Sequence, residues 1–252
     1  MYWCINYRWI GAESLIGTTP GVGLKPEQTD ARIDSSMIQF NYEKEEDGDV
    51  IAGWGGWAQR STEFLSKYDD DDRHKACSAG DGATDTQACK FDKALLGPCA
   101  SGNHGYDEGK PCIFLKLNRI FGVTNTPLDP ANLPEDLPQN LKSHIQNAEN
   151  KDQVWVDCHG EYPGDIEALG KIEYFPNTRG FPNYFFPFKK QDGYVGPVVA
   201  VRFPDLKKDG RLLHVECRAW AQNIGYDKRD RIGISHFELQ VFSDALAKEV
   251  KS

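Results

Sequence analysis

The chain has 252 residues, of which 39% are hydrophobic and 12% aromatic, so it carries enough apolar material for a core and is not globally disordered. Acidic residues outnumber basic ones 38 to 29, and the resulting net charge of −9 excludes the basic footprint of a nucleic-acid-binding protein. No apolar run approaches the roughly 18 residues of a transmembrane helix, and residues 1–10 lack the apolar stretch of a signal peptide.

The first third of the chain is predicted to contain an extended segment, a strand and a helix. Residues 1–35 show little periodicity, and the Gly-Val-Gly at 21–23 lacks the Gly-Lys-Ser/Thr of a phosphate loop. Residues 36–42 alternate weakly, as in a strand. Residues 54–68 are predicted to form a helix, because one set recurs at spacings of three and four: Trp54, Trp57, Ala58, Ser61, Phe64, Leu65 and Tyr68. The acidic run at 69–72 lacks the spacing of a calcium loop.

The rest of the chain predicts a mostly β, antiparallel sandwich with one buried face per sheet. Residues 77–112 form a cysteine-rich insertion with only short apolar patches, and Pro138 is predicted to open a helix to about Asn147 with Leu141 and Ile145 inward. The turn signal Asp209-Gly210 predicts a hairpin between the strands at 199 and 213. About six strands are predicted from a period of two, near residues 113–117, 154–158, 171–175, 199–203, 213–219 and 237–241.

Six of the seven cysteines indicate a disulfide framework and hence an oxidising compartment, because none forms a Cys-x-x-Cys pair typical of zinc or redox motifs. Cys158 and Cys217 both fall on inward strand positions, which favours a bridge inside the sandwich core, as in immunoglobulin-like domains. Cys4 is the odd one out. The remaining four suggest two small loops, although six cysteines allow fifteen pairings and the spacing leaves the choice open: Cys77, Cys89, Cys99 and Cys112.

The sequence contains no motif that indicates catalysis or metal binding. No pair among the six histidines has His-x-x-x-His spacing, and there is no Gly-x-Ser-x-Gly nucleophile motif. His104 lies between two cysteines but lacks a fourth ligand at zinc spacing. His214 and His236 are interpreted as surface residues on outward strand faces. We therefore expect no catalytic residue, no cofactor and no metal.

Aromatic residues are concentrated in a short run between residues 184 and 188. A strand would bury only alternate members of such a run. One interpretation is a bulged edge strand or loop packed on the core, and the other is a partly exposed surface that docks a partner, because aromatic side chains are favoured at interface centres. The candidate partner-binding residues are Tyr184, Phe185, Phe186 and Phe188.

Six strings together resemble the β subunit of the Na⁺/K⁺-ATPase and its relatives. They are SLIGTTPGVGLKP at 14–26, PCIFLKLNRI at 111–120, GFPNYFFPF at 180–188, GPVVAVRF at 196–203, VECRAWAQNIGYDKRDR at 215–231 and GISHFELQV at 233–241. Their order and spacing agree with the family from about residue 10 to residue 242.

The resemblance implies a non-catalytic regulatory subunit of a P-type cation pump. Residues 1–35 would be a membrane-proximal segment and residues 36–252 an immunoglobulin-like ectodomain. The family's sequential pairing would give Cys77–Cys89, Cys99–Cys112 and Cys158–Cys217. The implied partner is the catalytic α subunit, which the β subunit accompanies through folding and delivery to the plasma membrane, and whose cation affinity it tunes. The family's loop that matches residues 184–188 is implicated in α assembly.

Two features depart from the family pattern. The family's cytoplasmic tail and membrane helix have no counterpart in the sequence, so we expect a single-pass type II anchor upstream of Met1 and an ectodomain on the extracellular face of the plasma membrane. The sequence has no Asn-x-Ser/Thr sequon, whereas most relatives are glycosylated. The alternative function is a pump-independent adhesion or junction module, and a secreted hydrolase is disfavoured because no motif supports it.

Overall fold

The structure, a computed structural model, describes residues 21–28, 36–46, 51–69 and 73–249. Cys4, most of the segment 1–35 and most of the acidic run at 69–72 lie outside the described residues. The elements in chain order are β1 (Val22–Lys25), β2 (Met37–Asn41), α1 (Gly55–Ser66), β3 (His74–Lys75), β4 (Ala88–Cys89), a 3₁₀ helix (Lys93–Cys99), β5 (Cys112–Leu117), α2 (Gln139–Asn147), β6 (Gln153–Gly160), α3 (Pro163–Leu169), β7 (Glu173–Phe175), β8 (Gly180–Pro182), a second 3₁₀ helix (Asn183–Phe185), β9 (Val199–Arg202), β10 (Leu213–Trp220), β11 (Ile234–Phe242) and α4 (Asp244–Glu249).

Two sheets form the body of the molecule, which confirms the predicted mostly β fold. One has the strand order β1-β5-β9-β7 and the other β2-β11-β10-β6-β8. Within these two sheets, neighbouring strands are antiparallel except β2, which runs parallel to β11. The sheets enclose a shared core of alternating apolar side chains, among them Ile113, Leu115, Val199 and Val201 from the first sheet and Val154, Val156, Val215 and Phe237 from the second.

The predicted hairpin at Asp209-Gly210 is wrong. β9 pairs with β5 and β7, whereas β10 pairs with β6 and β11, so the connection crosses from one sheet to the other. Gly210 does lie in a turn with a φ of 72°, and its N–H donates to the Val241 carbonyl at 3.2 Å. The error arises because inward residues of both sheets face the same core, and alternation does not distinguish the sheets.

The helices follow their predicted apolar faces. In α1, Trp57, Phe64 and Leu65 are buried, and the Trp57 Nε1–H donates to the Gln39 carbonyl at 3.0 Å, which ties the helix to β2. In α2, Leu141 and Ile145 are fully buried, as predicted. They form a separate cluster against Trp155 and Trp220 on the outer face of the five-stranded sheet, together with Leu128 and Leu137.

Three disulfides link the fold, with the same pairing that the family resemblance implies: Cys77–Cys89, Cys99–Cys112 and Cys158–Cys217. Cys158 and Cys217 face each other on the neighbouring strands β6 and β10, with a Cα–Cα distance of 4.0 Å. Both cysteines belong to the shared core, which confirms the predicted bridge inside the sandwich. The bridge joins neighbouring strands of one sheet, whereas the bridge of immunoglobulin domains joins the two sheets. The loop-closure model gives about 3 kcal/mol for each short loop and about 4 kcal/mol for the long one.

A second core covers the opposite face of β5 and β9. Phe114 and Ala200 point away from the sandwich interior and pack beneath Phe64 and Leu65 of α1. The cysteine-rich insertion contributes Phe91, Leu96 and two disulfides to the same cluster. The insertion thus owes its fold to a shared apolar cluster as well as to its disulfides.

Candidate functional site

The aromatic segment, defined here as residues 184–188, leaves the edge of the five-stranded sheet. β8 pairs with β6, and the chain then enters the 3₁₀ helix Asn183–Phe185. The carbonyl of Tyr184 accepts from the Ala83 N–H at 2.8 Å, and the carbonyl of Phe188 accepts from the Gly122 N–H at 2.8 Å. Both ends of the segment are therefore fixed by backbone hydrogen bonds to other loops.

Burial divides the four aromatic side chains. Phe185 is 2% exposed and belongs to the second core, where its ring centroid lies 6.1 Å from that of Phe91. Tyr184, Phe186 and Phe188 are half-buried. The segment is thus packed on the core with partly accessible rings, and its role in partner binding stays a prediction that now centres on the three half-buried residues.

A groove runs along one side of the aromatic segment. Its volume is about 590 Å³, and its lining includes Tyr184, Phe185, Pro176, Asn177 and Thr178. Burial raises the pKa of the Tyr184 hydroxyl above its usual value. This side offers aromatic rings beside the side-chain amides of Asn150, Gln153 and Asn177.

The other side of the segment carries a cation held over aromatic rings. The Arg119 guanidinium lies 5.7 Å from the Phe188 ring centroid and 5.4 Å from that of Tyr194. It also donates to the Tyr194 carbonyl at 2.8 Å. Burial raises the pKa of the Tyr194 hydroxyl, so this hydroxyl stays neutral next to Arg119. The arrangement fixes one positive charge beside the half-buried rings.

A buried ion pair holds the chain just before β8. The Arg179 Nη2 donates to Asp157 Oδ1 at 2.5 Å, and the guanidinium stacks 4.0 Å from the Tyr174 ring centroid. The Arg179 carbonyl accepts from the Val156 N–H at 2.9 Å. Burial raises the pKa of the Asp157 carboxyl, and the Arg179 charge opposes that rise. The pair joins the chain just before β8 to strand β6.

His104 is a hydrogen-bonded core histidine. Its ring is buried, with Nδ1 3.0 Å from the Cys99 carbonyl and Nε2 3.0 Å from the Thr62 hydroxyl. Both ring nitrogens thus have protein partners, and burial lowers the pKa of the imidazole. The flanking Cys99 and Cys112 are joined in a disulfide.

A cluster of two histidines and one glutamate, whose proximity the sequence did not predict, lies on the outer face of the five-stranded sheet. Glu161, His214 and His236 each offer one ligand atom, and the three atoms lie within 4.8 Å of one another. The residues are half-buried and come from the end of β6, from β10 and from β11. The alternation of apolar and polar residues in β10 and β11 correctly predicted that both histidines face outward. It does not predict which residues of neighbouring strands lie opposite each other, so it could not show that the histidines are close together.

Among the described residues, no helix has both the length and the apolar character required to cross a bilayer.

The fold and its cross-links define a disulfide-stabilised β-sandwich protein. Comparison with known families is more specific, because the family described as sodium/potassium ATPase beta chain matches residues 8–237. The chain belongs to this family.

Curated relatives agree with that assignment. The chain is 39% identical over 241 residues to the sodium/potassium-transporting ATPase subunit beta-1 of Drosophila melanogaster, covering 92% of the chain and 74% of the relative. It is 35% identical over 248 residues to subunit beta-2 of the same species, covering 93% and 74%. It is also 30% identical over 243 residues to a probable subunit beta-3 of Caenorhabditis briggsae, covering 93% and 69%.

Proposed function

We propose that the chain acts as a non-catalytic β subunit of a Na⁺/K⁺-transporting P-type ATPase. It binds the catalytic α subunit, is needed for the folding and plasma-membrane delivery of that subunit, and tunes its cation affinity from the extracellular face. The observation that carries the proposal is the family match over residues 8–237, together with relatives that are named as subunits of this pump.

The aromatic segment is the proposed contact with the α subunit. Tyr184 and Phe186 are half-buried against the second core, and the half-buried Phe188 ring packs against Tyr194, so binding would order few side chains. Rigid aromatic rings bury large areas at low entropic cost and dominate many interfaces. Arg119 adds one positive charge that an acidic partner segment would neutralise.

Co-expression tests the proposal. The chain is placed behind a single-pass membrane anchor and expressed with an α subunit, and α is measured by co-purification and by surface biotinylation. We expect the chain to raise both signals. A chain that reaches the surface, supports cell–cell contact and leaves α unbound would instead support the adhesion alternative.

Variants locate the contact. Tyr184→Ala and Phe186→Ala are each expected to weaken α binding by about 2 kcal/mol, roughly a 30-fold loss, while thermal unfolding changes less. Tyr162→Ala is the matched control, because Tyr162 is 54% exposed and lies on a different surface. If both segment variants bind α normally, or if both simply unfold, the segment belongs to the core and the contact lies elsewhere.

A further inference from the structure

Three neighbouring elements hold Glu161, His214 and His236 in place. In the β10–β11 ladder, His214 faces Glu238 and His236 faces Glu216, so the two histidines lie diagonally across adjacent strands. Glu161 follows β6, and its N–H donates to the His214 carbonyl at 2.9 Å. The three side chains therefore project from backbone fixed by sheet hydrogen bonds, which is a favourable basis for a precise site.

His236 already has the surroundings of a metal ligand. Its Nε2 lies 3.0 Å from Glu161 Oε2, and its Nδ1 lies 3.7 Å from Glu238 Oε1. The other oxygen of Glu238 accepts from the Ser36 hydroxyl at 2.9 Å, which orients the carboxylate. Glu238 lies beyond hydrogen-bond distance of Nδ1, but its negative charge favours a proton on Nδ1 and thereby leaves Nε2 for a metal ion.

The remaining two ligands are also oriented. The Tyr162 ring meets the His214 ring edge-on with a centroid separation of 5.5 Å. Lys228 Nζ donates to Glu161 Oε1 at 2.5 Å, which leaves Oε2 directed at His236. The neighbouring Glu216 is paired with the same lysine at 3.5 Å. Each ligand thus has a second contact that limits its rotation.

We propose that Glu161, His214 and His236 bind a Zn²⁺ ion, with the fourth coordination position open to solvent. Two imidazoles and one carboxylate are a ligand set that zinc accepts, whereas Ca²⁺ and Mg²⁺ prefer all-oxygen sites. Ligands at about 2.0–2.2 Å in a tetrahedron are separated by about 3.4 Å. The three candidate ligand atoms already lie within 4.8 Å of one another.

The proposed site departs from the sequence-based expectation that the chain binds no metal, and it is independent of the proposed α contact. The zinc ligands and the aromatic segment have no residue in common. Failure of either proposal therefore leaves the other standing.

Calorimetric titration of the tag-free 252-residue chain with ZnCl₂ tests the site. We expect saturable binding of one ion, loss of that binding in His214→Ala and in His236→Ala, and no comparable binding of Mg²⁺. His159→Ala is the matched control, because His159 is exposed on β6 beside the site but outside the ligand group. Circular dichroism establishes that every variant is folded.

Glu238→Gln tests the orienting role of the second carboxylate. Replacement of such a group lowers metal affinity by about 10–100-fold, less than the loss expected for a direct ligand. Co²⁺ is expected to give the visible absorption of a tetrahedral site in the wild-type chain and in His159→Ala, but not in His214→Ala. Absence of saturable Zn²⁺ binding, unchanged binding in both ligand variants, or equal loss in His159→Ala would overturn the proposal.

Discussion

Replacement of Arg179 by methionine removes one partner of a buried ion pair. The Arg179 and Asp157 side chains are only 11% and 5% exposed, and their charged atoms are 2.5 Å apart. Methionine keeps an apolar stem near the Tyr174 ring but leaves the carboxylate without its cation. We expect Arg179→Met to lower the free energy of unfolding at pH 7 by about 3–5 kcal/mol, as for other buried pairs that lose one partner.

The pH dependence of the loss identifies its cause. Burial raises the pKa of Asp157 above its ordinary 3.8 even with Arg179 present, and removal of Arg179 raises it further. Between the unfolded and the folded pKa, the folded state binds more protons than the unfolded chain, so stability falls as pH rises. The variant is therefore expected to approach the wild type as the pH is lowered towards the unfolded pKa.

Urea titration followed by tryptophan fluorescence, at pH 7.5 and at pH 4.5, measures both effects. The double variant Asp157→Asn/Arg179→Met removes the isolated charge and is expected to be more stable than Arg179→Met at pH 7.5. An equal loss at both pH values, with no recovery in the double variant, would show that packing and not charge burial is responsible.

Three further changes have expected outcomes that urea titration can check. Cys217→Ala leaves Cys158 as a buried thiol and should lower the free energy of unfolding by about 2–5 kcal/mol, whereas an unchanged value would mean that this bridge contributes nothing. Phe185→Ala should lower the free energy of unfolding by about 3–5 kcal/mol and Tyr184→Ala by clearly less, because only the Phe185 ring is fully buried. Equal losses in the two variants would contradict this reasoning. Lys116→Met should raise the free energy of unfolding below pH 8. Burial and nearby cations lower the pKa of Lys116 to about 8, which means that its charged form destabilises the folded state. That destabilisation is fully present below pH 8 and disappears as the pH rises from 8 to 10.5. No gain at pH 7 would refute it.

Local periodicity predicted the elements that bury one face. The spacing of Trp57, Phe64 and Leu65 located α1 to within two residues at each end, because a helix can pack only a stripe of that period. Leu141 and Ile145 located α2 in the same way. In both helices, burial of one face requires apolar residues three or four positions apart, and this spacing can be read from the sequence.

Strand pairing depends on residues far apart in the chain, and the sequence carries little of it. β2 runs parallel to β11, with Ile38 opposite Leu239, about 200 residues away. Nothing in the alternation of either strand selects the partner or the direction. The lack of pairing information also explains the wrong hairpin prediction, since Val201 and Val215 face the same core from different sheets.

The two candidate sites differ in the same way: one consists of contiguous residues, and the other is assembled by strand pairing. The aromatic segment was located by sequence because its residues are contiguous, but its burial depends on contacts with Phe91 and with the loop at Ala83. His214 and His236 were correctly placed on outward faces. Their proximity to Glu161 follows from the register of three elements, and no spacing rule within one strand reveals it.

Strand β6 is paired with strands that lead to both proposed sites, and this decides which variants can separate them. β6 pairs on one side with β8, which leads into the aromatic segment, and on the other with β10, which carries His214. Loss of the ion pair at Asp157 is therefore expected to weaken both surfaces through the strand. Tyr184→Ala should leave zinc affinity unchanged, and His214→Ala should leave α co-purification unchanged, because each removes one side chain without altering the ladder. If each variant instead weakened both functions while the chain stayed folded, the sheet would couple the two sites. By linkage, zinc would then change the affinity for α by the same factor as α changes the affinity for zinc.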